Sequence, residues 1–238
     1  MKKLGIIGGV TWHSTVLYYE HINRGIWQRL GGIHSASLVV ESLDAAEYAA
    51  LQSEADWAAA DAMIVAAARR LASAGAEGLL LACNTMHKSA PAVEAAVSLP
   101  LLDIREATAA RIVNDGRTRV ALLGSRFTMT EPFYRKPFED RGIVFHELTA
   151  SWRTEVDRII YEELAAGRIV RDSQRKLKTL MTELAKQKVQ AVVLGCTELV
   201  LAVDTRANVL PVYDTTAIHA RMAVEWMLEE QEEARAAA

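Results

Sequence analysis

The sequence predicts an α/β fold of two pseudo-symmetric, Rossmann-like domains with mainly parallel sheets. Three observations carry that expectation. Short apolar runs alternate with helical patterns along all 238 residues, which is how parallel sheet covered on both faces is written. A set of landmarks in the first half recurs in the same order in the second. No linker-like or low-complexity stretch divides the two.

Taken in order, Leu4 to Gly8 is a short apolar run closed by Gly8-Gly9, a buried strand with its exit turn. Ser14 or Thr15 can cap the helix that follows, along which Val16, Tyr19, Ile22, Ile26 and Leu30 share a face until Gly31-Gly32 ends it. Ser37 to Val40 reads as a second strand, Asp56 to Ala74 as an Ala-rich helix stopped by Gly75, and Gly78 to Ala82 as the strand that delivers Cys83. Leu99 to Asp103 is a short strand, followed by a helix to about Val113. The pattern then restarts. Thr118 to Leu123 is a strand leaving through Gly124-Ser125, Phe127 to Arg141 a helix interrupted near Pro137, and Ile143 to His146 a strand. Helices are expected over Glu155 to Ala165 and Asp172 to Gln187, and a strand over Ala191 to Leu194 delivers Cys196. Val209 to Val212 is extended, and Thr215 opens a terminal helix that frays, its charged run from Glu229 to Arg235 a solvated face.

The recurring landmarks are a Gly at the exit of the first strand, a Cys at the end of a later one, and a Leu-Pro-x-x-Asp beyond it. They fall at Gly8, Cys83 and Leu99-Pro100-Leu101-Leu102-Asp103, and again at Gly124, Cys196 and Leu210-Pro211-Val212-Tyr213-Asp214, with nearly equal spacing. Laid on one another, Ala109 meets Ala220 and Val113 meets Val224. The expected domains are residues 1–103 with 214–238, and residues 104–213. Ligands of such sheets bind beyond the carboxyl ends of the strands, so the site is expected in the cleft between the domains, with Cys83 and Cys196 on opposite walls.

Composition narrows the function. Apolar residues make up 51% and charged residues 24%, with a net charge of −3, which gives no reason to expect nucleic acid or an anionic membrane as a partner. No apolar run approaches the ~20 residues of a membrane span. The opening Met1-Lys2-Lys3 and Leu4 to Val10 is short and Gly-rich and lacks a small-residue cleavage site, so it reads as a strand and not a signal peptide. The chain is therefore expected in the cytoplasm, where its two cysteines stay reduced. Gly8-Gly9 lacks the spacing of a dinucleotide fingerprint.

Two thiols at equivalent strand ends suit one chemistry well. Inverting a carbon by proton transfer needs a base on one face and an acid on the other. Acyl transfer needs a single nucleophile with a positioned base. Zinc wants three or four ligands, and only His87 stands near Cys83. Neither a metal nor another cofactor is expected. If helices start directly after the cysteines, their N-termini favour thiolates and can hold a carboxylate.

These residues resemble the aspartate/glutamate racemase family of cofactor-independent amino-acid racemases. The resemblance covers nearly the whole chain. It rests on Gly8-Gly9-Val10-Thr11-Trp12-His13-Ser14-Thr15, Cys83-Asn84-Thr85-Met86-His87-Lys88, Leu123-Gly124-Ser125-Arg126-Phe127-Thr128-Met129, Ile159-Ile160-Tyr161-Glu162-Glu163-Leu164 and Gly195-Cys196-Thr197-Glu198. It implies Cys83 and Cys196 as the catalytic pair. Asn84, Thr85, Thr128 and Thr197 would bind the ammonium and carboxylate of an amino acid. Gln52 would lie near the side-chain carboxylate, Val10 and Trp12 would wall the pocket, and Arg168 would face a distal carboxylate. His87 and Glu198 would support the cysteines. The family is often dimeric, and the breadth of the first helix's apolar face (Tyr18, Tyr19, Ile22, Ile26, Trp27) also suggests a homodimer.

The chain departs from the family at Val10, His13 and Ala45, where Met, Glu and an aromatic residue are common. Those departures bear on preference for acidic substrates more than on the reaction. Other reactions of the superfamily stay open at this point, namely hydantoin racemisation, maleate isomerisation and malonate decarboxylation, as does a catalytically silent dicarboxylate-binding protein. Plain readings also stay open: Trp12 as a packing aromatic, His13 as a surface residue, His87 as only a member of the first helical turn, Glu198 as a helix cap, Arg168 as a solvated helix-end cation.

Overall fold

The computed structural model describes residues 1–236, with side chains through Glu229. The chain divides into two units, Met1–Asp103 with His219 onward, and Ile104–Ile218. No helix of the described residues is long and apolar enough to cross a membrane.

The first unit runs β1 (Leu4–Gly8), α1 (Trp12–Leu30), β2 (Leu38–Ser42), α2 (Ala45–Ser53), α3 (Trp57–Ser73), β3 (Gly78–Leu81), a 3₁₀ turn (Thr85–Ser89), α4 (Ala90–Ala96) and β4 (Leu101–Leu102). Its sheet is wholly parallel, in the order β2-β1-β3-β4. Every residue of β1 and β3 is buried, as strands covered on both faces must be. Leu4, Ile6 and Leu80 point to one face, against Tyr18, Ile22 and Ile26 of α1. Ile7, Leu79 and Leu81 point to the other, against Ile64, Ala67, Ala68 and Leu71 of α3. The alternation follows from the two-residue period of a strand.

The second unit repeats the plan. It runs α5 (Ile104–Asn114), β5 (Arg119–Gly124), α6 (Arg126–Thr130), α7 (Pro132–Glu139), β6 (Val144–His146), α8 (Ala150–Arg158) with a π turn (Ile159–Leu164), α9 (Arg171–Lys186), β7 (Ala191–Gly195), a 3₁₀ turn (Thr197–Leu201), β8 (Val212–Asp214) and the start of α10 (Thr215–Ala236). The parallel order is β6-β5-β7-β8. Ala121, Leu123, Val192 and Leu194 meet Leu177, Leu180, Met181 and Leu184 of α9 on one face. Val120, Leu122, Ala191 and Val193 meet α5 and α7 on the other. From His219 onward α10 belongs to the first unit, where Ala220, Ala223 and Val224 cover β1 and β3.

Several expectations change. The helix after β1 starts at Trp12, and its buried face is Ser14, Tyr18, Ile22 and Ile26, while Val16 and Tyr19 are exposed. Neither Ser14 nor Thr15 caps it. Thr11 is the N-cap, the Ser14 hydroxyl meets that of Thr11 at 2.7 Å, and Thr15 Oγ1 accepts from the Gly9 amide at 2.9 Å. The break in the 127–141 helix falls at Glu131, not Pro137. Glu131 is extended (φ −92°, ψ 145°) because the ring of Pro132 disfavours helical backbone in the preceding residue. Pro137 sits inside α7. α2 and α4 were not foreseen. In the repeat, Ala109 and Ala220 are both buried, but Val113 is exposed and Ile112 takes the inward place. Of the run Glu229 to Arg235, Glu229 is exposed and paired with Lys2 at 2.8 Å; the rest, with the expected fraying, lies outside the described side chains.

One ionic cluster fixes α8 to α9. Glu155 accepts from Arg158 at 2.9 and 3.1 Å and from Lys176 at 2.9 Å. The Arg158 bonds first, and then Lys176, pull its carboxyl down to about 2 from an ordinary 4.5. A carboxyl lowered on folding stabilises the folded state above its ordinary value and loses that effect as pH falls through the lowered one. Acid unfolding followed by circular dichroism should therefore be shallower between pH 4.5 and 2 in Glu155→Gln than in the parent chain. Equal slopes would show that the cluster contributes nothing.

Candidate active site

β3 delivers Cys83 to the carboxyl end of its sheet. The Ala82 amide still bonds to the Ile7 carbonyl at 2.8 Å, so the ladder holds to the residue before the cysteine. Asn84 then takes helical dihedrals (φ −62°, ψ −46°), and the 3₁₀ turn Thr85–Ser89 begins. Asn84 and Thr85 are buried, Cys83 half-buried. In a 3₁₀ turn the amide of residue i bonds to carbonyl i−3, and the His87 amide accordingly bonds to the Asn84 carbonyl at 3.2 Å. The Cys83 carbonyl instead accepts from the His87 side chain, Nδ1 lying 2.9 Å away. Lys88 places its ammonium 3.6 Å from the centre of the Trp57 ring, tying the turn to α3.

β7 delivers Cys196 in the same way, with different support. Cys196 is extended (φ −145°, ψ 129°), and its carbonyl accepts from the Leu199 amide at 3.2 Å. Its sulfur donates to Glu198 Oε2 at 2.9 Å, and the Thr197 hydroxyl donates to the same oxygen at 2.8 Å. Thr197 and Glu198 are buried. One carboxylate oxygen thus holds both the thiol and the neighbouring hydroxyl in place. Neither cysteine forms a disulfide.

In place of the helix expected to start after each cysteine comes a five-residue 3₁₀ turn, which after Cys83 runs on into α4. The side chains beside the two cysteines differ, an imidazole on the Cys83 carbonyl and a carboxylate on the Cys196 thiol, and the carboxylate favours the thiol over the thiolate.

The remaining expected residues fall as follows. Gly9 is left-handed (φ 88°), and a Cβ there would meet Leu43 backbone at 2.1 Å, so only glycine lets the β1 exit loop lie against that segment. Val10, on that loop, is half-buried against the core, and Trp12 is 61% exposed with its ring stacked 3.7 Å from that of His13. Gln52 is buried on α2. Thr128 is fully buried on α6, held by Ser125, whose hydroxyl lies 3.1 Å from that of Thr128. Arg168 is exposed, and its guanidinium donates to the Glu162 carbonyl. Among the described residues, no three or more His, Cys, Asp and Glu side chains gather as a metal-ion site.

Behind Cys83 lies a buried polar network that the sequence did not reveal. His87, His219 and Tyr18 are all fully buried. Tyr18 Oη lies 2.8 Å from His219 Nδ1, and His219 Nε2 lies 2.7 Å from the Leu102 carbonyl. A carbonyl only accepts, so Nε2 carries the proton and Nδ1 accepts from Tyr18. Burial first, and then the charge of His87, push His219 down to about 3, so it is neutral. Its ring meets that of His87 edge-on, centroids 5.7 Å apart. Asp103 Oδ1 lies 3.9 Å from His87 Nε2. The available signals were slight: a histidine among the alanines of α10, and the aspartate of the Leu-Pro-x-x-Asp landmark.

Known proteins fit this arrangement. The family model described as Asp/Glu/Hydantoin racemase matches residues 7–223. A crystal structure of a candidate Asp/Glu racemase from Yersinia pestis is 43% identical, covers 96% of this chain and 100% of its own, and superposes with a TM-score of 0.89. An aspartate racemase homologue from Pyrococcus horikoshii is 32% identical over 95% of this chain and 99% of its own, with a TM-score of 0.82. The broad specificity amino-acid racemase of Bacillus subtilis is 27% identical over 69% of this chain and 71% of its own. With two parallel sheets of the same strand order, each ending in a cysteine, and a family match over most of its length, the chain belongs to the Asp/Glu/hydantoin racemase family.

Proposed function

We propose that this protein is an isomerase that racemises an amino acid at Cα without pyridoxal phosphate or a metal, with Cys83 and Cys196 as the two bases. The observation that carries the reading is the doubled motif, a cysteine followed by hydroxyl or amide residues at equivalent strand ends of two units with one topology. One thiolate removes the Cα proton, the electron pair passes into the substrate carboxylate, and the thiol on the other face returns a proton. Glu198 can take the proton of Cys196 when that residue must act as base, since its carboxylate already accepts from the sulfur. Asn84, Thr85, Thr128 and Thr197 would hold the ammonium and carboxylate. Val10, Trp12 and Gln52 would surround the side chain. Arg168 would reach a distal carboxylate only by releasing the Glu162 carbonyl. With the departures at Val10, His13 and Ala45, and a broad-specificity racemase among the relatives, the substrate set extends beyond aspartate and glutamate.

We also propose a cytoplasmic homodimer built on α1. Of the face expected to pair, Tyr18, Ile22 and Ile26 are buried in the unit's own core and Tyr19 and Trp27 remain exposed; with Trp12 and Val16 these two form an exposed stripe along the helix, and Ile33 is fully exposed beside it. Val16, Tyr19, Trp27 and Ile33 line the wall of an open groove with Asn23 and His34. Large apolar patches of this kind mark interfaces. Light scattering at micromolar concentration should give twice the chain mass, and Tyr19→Lys with Trp27→Lys should give the chain mass. A parent chain that is already monomeric overturns the proposal.

The reaction is tested by following Cα-proton exchange into deuterated water separately from each enantiomer. By resemblance Cys196 faces the hydrogen of the L-form and Cys83 that of the D-form. A serine hydroxyl is a far poorer base than a thiolate, so Cys83→Ser should lose exchange from the D-form preferentially and Cys196→Ser from the L-form. Positioned acid–base groups contribute about 10²–10⁴-fold, which sets the size of the asymmetry. Equal losses on both hands would exclude opposed bases, and no exchange by the parent chain with any common amino acid would leave a binding protein.

A further inference from the structure

We propose that His87 is a positioning residue for Cys83, holding the Cys83–Asn84 peptide through its side chain while Asp103, with neutral His219 behind the ring, fixes the orientation of the imidazole. The proposal deepens the racemase reading and rests on it for one arm of its test.

Cys83 stands two residues past the end of β3, at the start of the turn. An α-helical start after β3 would supply the Cys83 carbonyl with the amide of residue 87, four positions on. The 3₁₀ turn spends that amide on the Asn84 carbonyl. The same residue's side chain lies against the Cys83 carbonyl, Nδ1 2.9 Å away, and a backbone carbonyl drawn out of water contributes to stability only when it is hydrogen-bonded. The counterpart at β7 needs no such device, because the Leu199 amide reaches the Cys196 carbonyl directly. The imidazole is therefore specific to the Cys83 half.

The ring is fixed from more than one side. Nδ1 must carry its proton, since its partner is a carbonyl. Nε2 faces Asp103 Oδ1 at 3.9 Å. The His219 ring stands edge-on to it and is itself held by Tyr18 and the Leu102 carbonyl. Asp103 after β4 and His219 on α10 flank His87, Tyr18 on α1 holds His219 in turn, and Lys88, next to His87 on its own turn, is directed at Trp57. His219, held down to about 3 by burial, stays neutral through the working range and serves as a brace, not a proton carrier. Rotation of the Cys83–Asn84 peptide would redirect both the thiol and the Asn84 amide, and a misplacement of about 1 Å costs on the order of 10²-fold.

The test compares His87→Leu, His87→Asn and Asp103→Asn with the parent chain. Asparagine can place an amide N–H near the position of Nδ1, whereas leucine has no donor. Alkylation of Cys83 relative to Cys196, read peptide by peptide by mass spectrometry, needs no substrate. His87→Leu should lower that ratio by about 10-fold, and His87→Asn should restore it to within about threefold. In exchange assays His87→Leu should lower kcat from the D-enantiomer by about 10²-fold at nearly constant KM and slow the L-enantiomer far less. A residue needed only for stability would slow both hands alike and leave the labelling ratio unchanged. Either of those results, or failure of asparagine to rescue, overturns the proposal. If the parent chain exchanges no Cα proton, the racemase reading fails and the labelling ratio alone decides the role of His87. Should the leucine variant not fold, Asp103→Asn, which leaves the Nδ1 bond but frees the ring, must still lower the labelling ratio, and an unchanged ratio counts against the proposal.

Discussion

Everything in this chain follows from the need to satisfy backbone at the end of a parallel strand. Within each sheet, the inner strands pair on both sides and are buried on both faces. Polar side chains have no place there, so chemistry is pushed to the carboxyl ends, where carbonyls and amides leave the ladder and must find other partners. Cys83 and Cys196 stand at that boundary. What differs between them is how the first carbonyl outside the sheet is matched. A backbone amide does it at Cys196 and an imidazole at Cys83. The repeat preserves the position of the thiol and not its chemical surroundings.

Much of the architecture is legible in the sequence for a simple reason. Strands buried on both faces read as unbroken apolar runs, and Leu79-Leu80-Leu81 and Val192-Val193-Leu194 are such runs in the sheets as well. The landmarks of the repeat are legible because they mark strand ends. The face of α1 is not, because Tyr18 and Tyr19 are equally apolar by composition. What selects Tyr18 for burial is a hydroxyl partner, His219, two hundred residues away. The two 3₁₀ turns escape a reading based on helix periodicity, since five residues hold little more than one period. Glu198 was legible as a neighbour of Cys196, but its bond to the sulfur is a matter of χ angles that spacing does not encode.

The groups beside the two thiols are individual side chains, not two equal helix dipoles. A dipole favours the thiolate at any residue near the helix start, so two equal helices would favour both thiols equally. An imidazole behind one cysteine and a carboxylate on the other act on individual groups. The two cysteines thus occupy equivalent places in the repeat with different chemical surroundings.

Glu198 illustrates the difference. Its Oε2 accepts from Cys196 and from Thr197 together, both short and both buried. A thiolate beside that carboxylate would set two negative charges within hydrogen-bond distance, an arrangement proteins avoid by keeping one proton between them. The proton can rest on sulfur or on the carboxylate. Thr197, donating to the same oxygen, stabilises the state in which the carboxylate is charged and Cys196 is a thiol. The Glu198 carboxylate therefore favours the protonated thiol of Cys196 over the thiolate.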